Sequence, residues 1–310
     1  MNTSPNIIFM GSPDFAVASL HALFENGFHV SAVVTAPDKP AGRGLKLSES
    51  AVKRYAVQKN IPVLQPVRLK DSAFLEQLKS FRPDVQIVVA FRMLPEVVWS
   101  MPPLGTINLH GSLLPQYRGA APINRVIMNG EIKTGVTTFK LQQEIDTGNI
   151  LLMEEISVGP DETAGELHDR MKEIGAGLVV KTIRGMIDGT LEEKPQPAID
   201  PAVLKTAPKI FATDCQIQWE NPIQKIYNQI RGLSPFPGAF TLLENKNCKI
   251  FRSHMEINNH LKNPVKMETD GKTWLRFTGS DGYIYIDEMQ LEGRKRMDIA
   301  DFLRGYRFKA

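Results

Sequence analysis

An amide, an imidazole and a carboxylate form the most informative combination in this sequence. Asn108 and His110 end an apolar run, and their spacing puts both side chains on one face of a strand. An amide donor can stabilise an oxygen that becomes negative, and a histidine can transfer a proton near neutral pH. Asp146 follows in a turn, where its carboxylate can orient the imidazole and favour its charged form. These groups suit acyl-type transfer to an amine without a serine or cysteine nucleophile.

Ser112 makes a serine hydrolase the obvious alternative. A nucleophile elbow requires glycine two positions before and two positions after its serine. His110 and Leu114 occupy those positions here. The sequence therefore disfavours a covalent serine mechanism.

The first half of the chain alternates short apolar runs with helical periodicity. Residues 15–26 have their apolar side chains on one helix face, and Gly27 follows as a stop signal. A capping box of Thr163 and Glu166 predicts a further helix that ends near Gly189. This alternation predicts a Rossmann-like α/β domain with a parallel-type sheet, whose sites lie at the carboxyl ends of the strands. The predicted strands are residues 7–10, 30–35, 85–90 and 106–109.

A proline-rich stretch separates this half from a different pattern. Residues 191–208 hold four prolines and lack periodicity, so they predict a stiff linker between a first domain at 1–190 and a second at 209–310. The second domain contains an amphipathic helix at 221–233 and then short strands, which predicts a smaller OB-like β-barrel. The predicted strands are residues 240–243, 249–251, 274–278 and 283–289.

Composition narrows the classes of protein that the chain can be. Its 310 residues are 42% hydrophobic and 23% charged, and no window approaches the roughly 20 apolar residues that span a membrane. Residues 7–10 are too short for a signal-peptide core, so we expect a cytoplasmic protein. Cys215, Cys248 and the histidines show no metal-ligand spacing, so we expect no metal. The net charge of +3 tolerates an RNA partner without requiring one, and a monomer is the default expectation.

The first strand-to-helix turn lies where dinucleotide-binding enzymes carry a glycine-rich fingerprint. Pro13 and Ala16 occupy the second and third glycine positions, so a nicotinamide cofactor is disfavoured. Proline at the first helical position, with Ser12 as its cap, predicts a structural role for this turn. Its helix N-terminal amides can also face an anionic or carbonyl group of a substrate.

Longer stretches around the candidate groups resemble a known family. Residues 108–115 and 117–123, followed by 145–148, are similar to formyltransferases that use 10-formyltetrahydrofolate, and within them to methionyl-tRNA formyltransferases. The likeness extends over almost the whole chain. It implies formyl transfer from 10-formyltetrahydrofolate to the methionine of initiator methionyl-tRNA, with the three groups above as the catalytic side chains.

The same resemblance assigns two segments to the folate donor. In the family, the loop after the third predicted strand clasps the pterin ring, which implies contacts from Arg92, Met93 and Leu94. The loop here is one residue shorter than the commoner bacterial pattern and carries Arg92 where a small or apolar residue is frequent, so the assignment is to the segment. The cleft beside the catalytic groups is expected to be shaped by Ser112, Leu113, Leu114 and Pro115.

Basic segments are the candidate contacts for tRNA. Residues 37–46 are rich in glycine, proline and basic side chains, which alone predict an irregular, solvated surface loop. The segment matches a Pro-Ala-Gly-Arg-Gly stretch of methionyl-tRNA formyltransferases, which implies that Arg43 contacts the acceptor end of the tRNA. Lys209 is a candidate phosphate contact, as are Lys205 and residues 294–296.

Two other activities remain open at the level of sequence. An enzyme that formylates an amino-sugar nucleotide would share the catalytic motif but differ at residues 37–46 and in the second domain. A formyl-folate hydrolase, or a folate-binding module that performs no transfer, is the alternative from a different class, and such modules usually belong to longer chains.

Overall fold

The computed structural model describes residues 5–41, 46–258 and 266–308. The chain forms two compact units, and the second includes two segments from within the first 190 residues. The domain boundaries at residues 190 and 208 therefore stay predictions. The first unit is Met1–Gly119, Thr134–Ile156 and His168–Thr206, and the second is Ala120–Lys133, Ser157–Leu167 and Ala207–Ala310.

The alternation of strands and helices runs through the first part of the chain. Its elements are β1 (Ile7–Gly11), α1 (Asp14–Glu25), β2 (Val30–Val34), β3 (Lys39–Ala41), β4 (Lys46–Ser48), α2 (Ala51–Gln58), β5 (Val63–Leu64), α3 (Ser72–Ser80), β6 (Val85–Val89), α4 (Glu96–Trp99), β7 (Thr106–His110), β8 (Arg118–Gly119), α5 (Pro122–Met128), β9 (Lys133–Lys140), β10 (Ile150–Ser157) and α6 (Ala164–Ile187). The predicted strands and helices of this part are confirmed, and β5, β9 and β10 join them.

A seven-stranded sheet organises the first unit, with the strand order β10-β9-β7-β6-β1-β2-β5. Strands β7, β6, β1, β2 and β5 are parallel, whereas β9 is antiparallel to β7. β1 and β6 are buried at every residue, which explains why their sequences are apolar apart from Gln86 of β6. The order of the strands reverses at β1, and open α/β sheets bind ligands at the carboxyl ends of strands near such a point. The predicted Rossmann-like sheet is confirmed.

Hydroxyl groups near two helix starts behave differently. The predicted capping box of α6 is confirmed, because the Thr163 N–H donates to Glu166 Oε2 at 2.8 Å and the Glu166 N–H donates to Thr163 Oγ1 at 3.3 Å. The predicted Ser12 cap of α1 is wrong, because Pro13 precedes that helix without a side-chain hydrogen bond. The Ser12 hydroxyl instead lies 3.3 Å from Thr35 Oγ1 and accepts a hydrogen bond from the Ala36 N–H.

The basic segment at residues 37–46 is more regular than its composition predicts. β3 and β4 pair as antiparallel strands, with Pro40 opposite Leu47. Proline is tolerated there because a two-stranded pair consists of edge strands. The expectation of an irregular loop is therefore wrong for the ends of the segment. Arg43 lies outside the described residues.

The second unit contains a mostly β arrangement. After β11 (Thr206–Ala207), where the chain passes from the first unit to the second, its elements are α7 (Ala212–Cys215), α8 (Ile223–Leu233), β12 (Ala239–Leu243), β13 (Lys246–Ile257), β14 (Met267–Thr269), β15 (Leu275–Thr278), β16 (Gly282–Leu291), β17 (Met297–Asp298) and α9 (Ile299–Arg304).

An antiparallel sheet in the order β12-β13-β16-β15-β14 carries the core of this unit, and β17 pairs with β16. Buried and less buried residues alternate along β16, which is the pattern of a strand with one face in a core. α8 buries Ile223, Ile226 and Ile230 in the same core. The predicted smaller, OB-like β domain is confirmed, although β13 and β16 are longer than the sequence suggests.

Candidate active site

Strand β7 carries the first two candidate groups at its carboxyl end. Asn108 lies opposite Val88 of β6 and Phe139 of β9, and His110 lies opposite Thr137. His110 is buried, with 6% of its surface exposed, and Asn108 is half-buried. Within the described part of the chain, the Asn108 side-chain amide has no hydrogen-bond partner. Its N–H groups therefore remain available to a substrate oxygen.

The imidazole of His110 is held by a backbone carbonyl. Its Nε2 lies 2.9 Å from the Tyr117 carbonyl oxygen, which can only accept, so Nε2 carries the proton in the neutral ring. Nδ1 therefore has the free lone pair, and it lies 3.8 Å from Asp146 Oδ2. That distance is longer than a hydrogen bond. The carbonyl orients the ring, and the carboxylate supplies a nearby negative charge.

The turn that carries Asp146 is tightly constrained. Asp146 has a left-handed backbone, with φ of 54°, and its Oδ2 accepts a hydrogen bond of 2.9 Å from the Gly119 N–H. A Cβ atom on Gly148 would lie 1.7 Å from the Lys140 carbonyl oxygen, so only glycine fits there. The conformation of this turn is thereby restricted beside His110.

The segment assigned to the pterin ring is anchored by its arginine. The Arg92 guanidinium donates to the Val67 carbonyl oxygen at 2.9 Å and also to the carbonyl oxygen of Pro66. Leu94 is buried in a core cluster, whereas Met93 is 70% exposed. Of the three side chains in the predicted folate loop, Met93 is therefore the one free to meet a ligand.

Hydrogen bonds of Ser112 fix the conformation of the segment after His110. The Ser112 hydroxyl donates to the Gln116 carbonyl oxygen at 2.6 Å, and the Ser112 carbonyl accepts from Thr137 Oγ1 at 2.6 Å. Leu114 and Pro115 are buried, and Leu113 is half-buried. Ser112 and Leu114 therefore shape the loop, and Leu113 has the most exposed side chain of the four predicted residues.

Lys209 lies in the second unit. Its side chain is exposed, and its ammonium lies 5.8 Å from the centre of the Phe211 ring, which is itself 59% exposed. In the described part of the chain it forms no ion pair. Arg296, by contrast, forms a bidentate ion pair with Glu288. Of these two candidate phosphate contacts, Lys209 is accordingly the one without an ion-pair partner in the described residues.

Sequence reasoning missed two groups near Asp146. The Tyr117 carbonyl is a backbone atom and leaves no mark in the residue type. The Gln196 side chain hydrogen-bonds the Asp146 turn from within the predicted linker. Its position between two prolines was the only sequence signal, since such a stretch offers its polar side chains no local partners.

Two further observations bear on the class of protein. Within residues 5–41, 46–258 and 266–308, every helix is too short or too polar to cross a bilayer. The same residues contain no group of three His, Cys, Asp or Glu side chains that could hold a metal ion.

Comparison with known proteins shows the family. Residues 5–183 match the formyl transferase family model, and residues 209–307 match that of the formyl transferase C-terminal domain. The methionyl-tRNA formyltransferase of Parabacteroides distasonis is 48% identical over 309 residues, which cover 97% of this chain and 95% of that protein. That of Bacteroides fragilis is 46% identical over 306 residues, covering 97% of this chain and 94% of the relative.

A solved structure shows the same fold at low sequence identity. WlaRD, a sugar 3N-formyl transferase crystallised with dTDP and 5-N-formyl-THF, superimposes with a TM-score of 0.68 at 20% identity, covering 94% of this chain and all of that chain. That likeness concerns the fold alone. The family models and the curated relatives carry the assignment, and the chain belongs to the methionyl-tRNA formyltransferase family.

Proposed function

We propose that this chain transfers the formyl group of 10-formyltetrahydrofolate to the α-amino group of methionine on initiator tRNA, for translation initiation. The observation that carries the proposal is the arrangement of Asn108 and His110 on one strand, with His110 Nδ1 3.8 Å from Asp146 Oδ2. It occurs in a chain that is 48% identical to a methionyl-tRNA formyltransferase over almost its full length.

Asn108 and His110 have complementary tasks in this reaction. The formyl donor is a co-substrate that supplies an electrophilic carbonyl carbon bound to a folate nitrogen. Asn108 donates to the formyl oxygen as the methionine amine adds and that oxygen becomes negative; the loss of one such donor costs about 10²–10³-fold in rate. His110 accepts the amine proton at Nδ1 and delivers it to the departing folate nitrogen, so that one C–N bond forms and another breaks.

Asp146 acts on His110 through charge. The 3.8 Å between the two side chains is too long for a hydrogen bond. The negative carboxylate instead attracts the positive charge that the imidazole acquires during proton transfer. Its second oxygen, Oδ1, has no partner in the described part of the chain and can hold the incoming amine or a water molecule.

The remaining residues bind the two substrates. The folate donor is assigned to the segments of Arg92, Met93 and Leu94 and of Ser112, Leu113, Leu114 and Pro115. A relative of the same fold, WlaRD, was crystallised with 5-N-formyl-THF, which supports a folate at this fold's site. Arg43 and Lys209 are assigned to the tRNA, no metal takes part, and the protein is proposed to act as a monomer. Because ribosomes use initiator tRNA in the cytoplasm, that is the proposed location.

One acceptor assay tests the proposal. The protein is incubated with 10-formyltetrahydrofolate and, separately, with methionyl initiator tRNA, methionyl elongator tRNA, a dTDP-amino sugar, or no acceptor. We expect formyl transfer chiefly to methionyl initiator tRNA. Preferential formylation of the amino sugar, or rapid donor hydrolysis without an acceptor, would replace the proposal with one of the two alternative activities.

A further inference from the structure

A glutamine of the predicted linker makes four hydrogen bonds to two segments of the first unit. Gln196 Nε2 donates to the carbonyl oxygens of Asp146 at 2.8 Å and Gly148 at 2.9 Å. Its Oε1 accepts from Arg118 Nε at 3.2 Å and from Arg118 Nη2 at 2.6 Å. Both donors and both acceptor positions of one half-buried amide are thus satisfied.

The first pair of bonds closes the turn that carries Asp146. The two carbonyl oxygens belong to residues on either side of Thr147, so one amide group fixes both ends of the turn. Asp146 itself has a left-handed backbone, which aspartate adopts more readily than most residues but which still costs energy for a residue with a Cβ atom. The hydrogen bonds from the Gln196 amide stabilise this backbone conformation.

The second pair of bonds reaches the segment that sets the other half of the site. Arg118 stands between Tyr117, whose carbonyl orients His110, and Gly119, whose N–H binds the Asp146 carboxylate. Gln196 therefore connects the two pieces of backbone on which the separation of His110 and Asp146 depends.

The linker does not need Gln196 in order to stay near this turn. Lys194 and Ile150 exchange two backbone hydrogen bonds, of 2.7 and 2.9 Å, two residues before Gln196. Removal of the Gln196 amide should therefore free the Asp146 turn without releasing the linker.

We propose that Gln196 is a positioning residue for formyl transfer, which holds the Asp146 carboxylate at its working distance from His110 Nδ1. This role rests on the proposed function, because it matters only if these two groups transfer the proton. Misplacement of a reacting group by about 1 Å can cost on the order of 100-fold in rate. The effect belongs in kcat, since Gln196 acts on groups that take part in the chemical step.

Two substitutions separate the two pairs of bonds. Gln196→Met keeps the size of the side chain and removes all four hydrogen bonds. Gln196→Glu keeps an acceptor for Arg118 but turns an oxygen toward the Asp146 and Gly148 carbonyls. The matched control is Gln142→Met, because Gln142 donates to the same turn at Thr147 Oγ1, 2.7 Å away, but not to its carbonyls.

We expect Gln196→Met to lower kcat by about 10- to 100-fold while KM for both substrates and Tm stay near wild type. Gln196→Glu should be no more active than Gln196→Met, and Gln142→Met should resemble wild type. Hydrogen exchange of the Gly119 amide, which binds the Asp146 carboxylate, should speed up in both Gln196 variants.

Several results would overturn the role. They are wild-type kcat in Gln196→Glu, a rise in KM alone in Gln196→Met, or unchanged Gly119 exchange in either variant. If Gln196→Met folds poorly, kcat and Gly119 exchange in Gln196→Glu decide the matter. Failure of the proposed function is seen separately, in the acceptor choice of the wild type, and the variants are then compared on whichever acceptor that enzyme uses.

Discussion

The Tyr117 carbonyl oxygen lies 2.9 Å from His110 Nε2, and this contact decides which imidazole nitrogen can exchange a proton. Because the acceptor is a backbone atom, a neighbouring side-chain substitution does not remove it. Nδ1 is left to face Asp146, and in the proposed function it is the nitrogen that exchanges the proton. The roles of the two ring nitrogens can therefore be tested separately by substitution.

Amide replacements of His110 should distinguish holding from proton transfer. The amide of His110→Gln approximates Nε2 and can still donate to the Tyr117 carbonyl, whereas that of His110→Asn approximates Nδ1 and cannot. Neither amide transfers protons at neutral pH, so kcat should fall at least 100-fold in both variants. Thermal unfolding should show the glutamine variant to be the more stable of the two. Near wild-type turnover in either variant would refute proton transfer by His110.

Asn108 and His110 should behave as one catalytic unit. Asn108→Ala should lower kcat by about 10²–10³-fold, because the formyl oxygen loses its donor. Combined with His110→Ala, the loss should be far smaller than the product of the single losses, since both groups act on one transition state. Asn149→Ala, at an exposed amide of the same unit, is the control and should be silent. Multiplicative losses would mean that the two side chains act in different steps.

Local signals explain which parts of the fold the sequence predicts. The Thr163 and Glu166 capping box is confirmed because its partners are three residues apart and need nothing else. The Ser12 cap fails because Thr35 and Ala36, brought close by the sheet, compete for the same hydroxyl. Hydroxyl groups with both local and distant partners cannot be assigned from spacing alone.

The candidate site also contains some residues that local sequence identifies and others that only the folded structure brings together. Asn108 and His110 can be paired from the two-residue period of a strand, and Asp146 can be named as a carboxylate in a later turn, to which the family resemblance adds a catalytic role. The role of Gln196 could not be derived from its position between two prolines, because its partners lie 48 to 78 residues away and become neighbours only in the folded unit. The role of Arg92 was equally hidden, since its bonds run to backbone carbonyls in another loop.

Arg43 should affect the tRNA and not the folate donor. Arg43→Ala is expected to raise KM for methionyl-tRNA several-fold at physiological salt, because one cationic contact to the acceptor end is lost. KM for the donor and any slow donor hydrolysis should be unchanged. Arg54→Ala, at an exposed arginine in α2, is the matched control. Unaltered tRNA kinetics in Arg43→Ala would leave residues 37–46 without a role in binding.

Glu166 should make stability depend on pH. The Thr163 N–H, and next the Arg252 guanidinium, lower the pKa of Glu166 below its ordinary value of 4.5. A carboxyl group with a lowered folded-state pKa stabilises the fold above its ordinary pKa, and that stability is lost as the pH falls through the folded value. At pH 7, Glu166→Gln should therefore lower the free energy of unfolding by about 0.5–1 kcal/mol, a small value because the side chain is 45% exposed.

The difference between wild type and Glu166→Gln should shrink as the pH is lowered below 4.5. Denaturant unfolding at a series of pH values measures it. Glu173→Gln, exposed on the same helix, is the control and should show no comparable trend. A gap that stays constant with pH would assign the effect to helix capping geometry instead of charge.

Lys209 should contribute one phosphate contact to the tRNA complex. Neutralising a phosphate releases condensed counterions, so the logarithm of the binding constant falls linearly with the logarithm of salt concentration. Because the net charge is only +3, a moderate overall slope is expected. Lys209→Ala should reduce the magnitude of that slope by roughly one unit or less. Filter binding or fluorescence titration at several salt concentrations measures both slopes.

Lys225→Ala is the matched control for this measurement, because Lys225 is exposed in the same unit but donates to Asn221 Oδ1 at 3.2 Å. Its slope should equal that of the wild type, and donor binding should be insensitive to both substitutions.

Phe211, whose exposed ring lies beside the Lys209 ammonium, allows charge to be separated from ring contact. Phe211→Leu should leave the slope unchanged, because it removes no charge, and should weaken binding by a salt-independent factor if the ring contacts the tRNA. An unchanged slope in Lys209→Ala would remove that lysine from the interface, and a salt-insensitive complex would contradict tRNA as the acceptor.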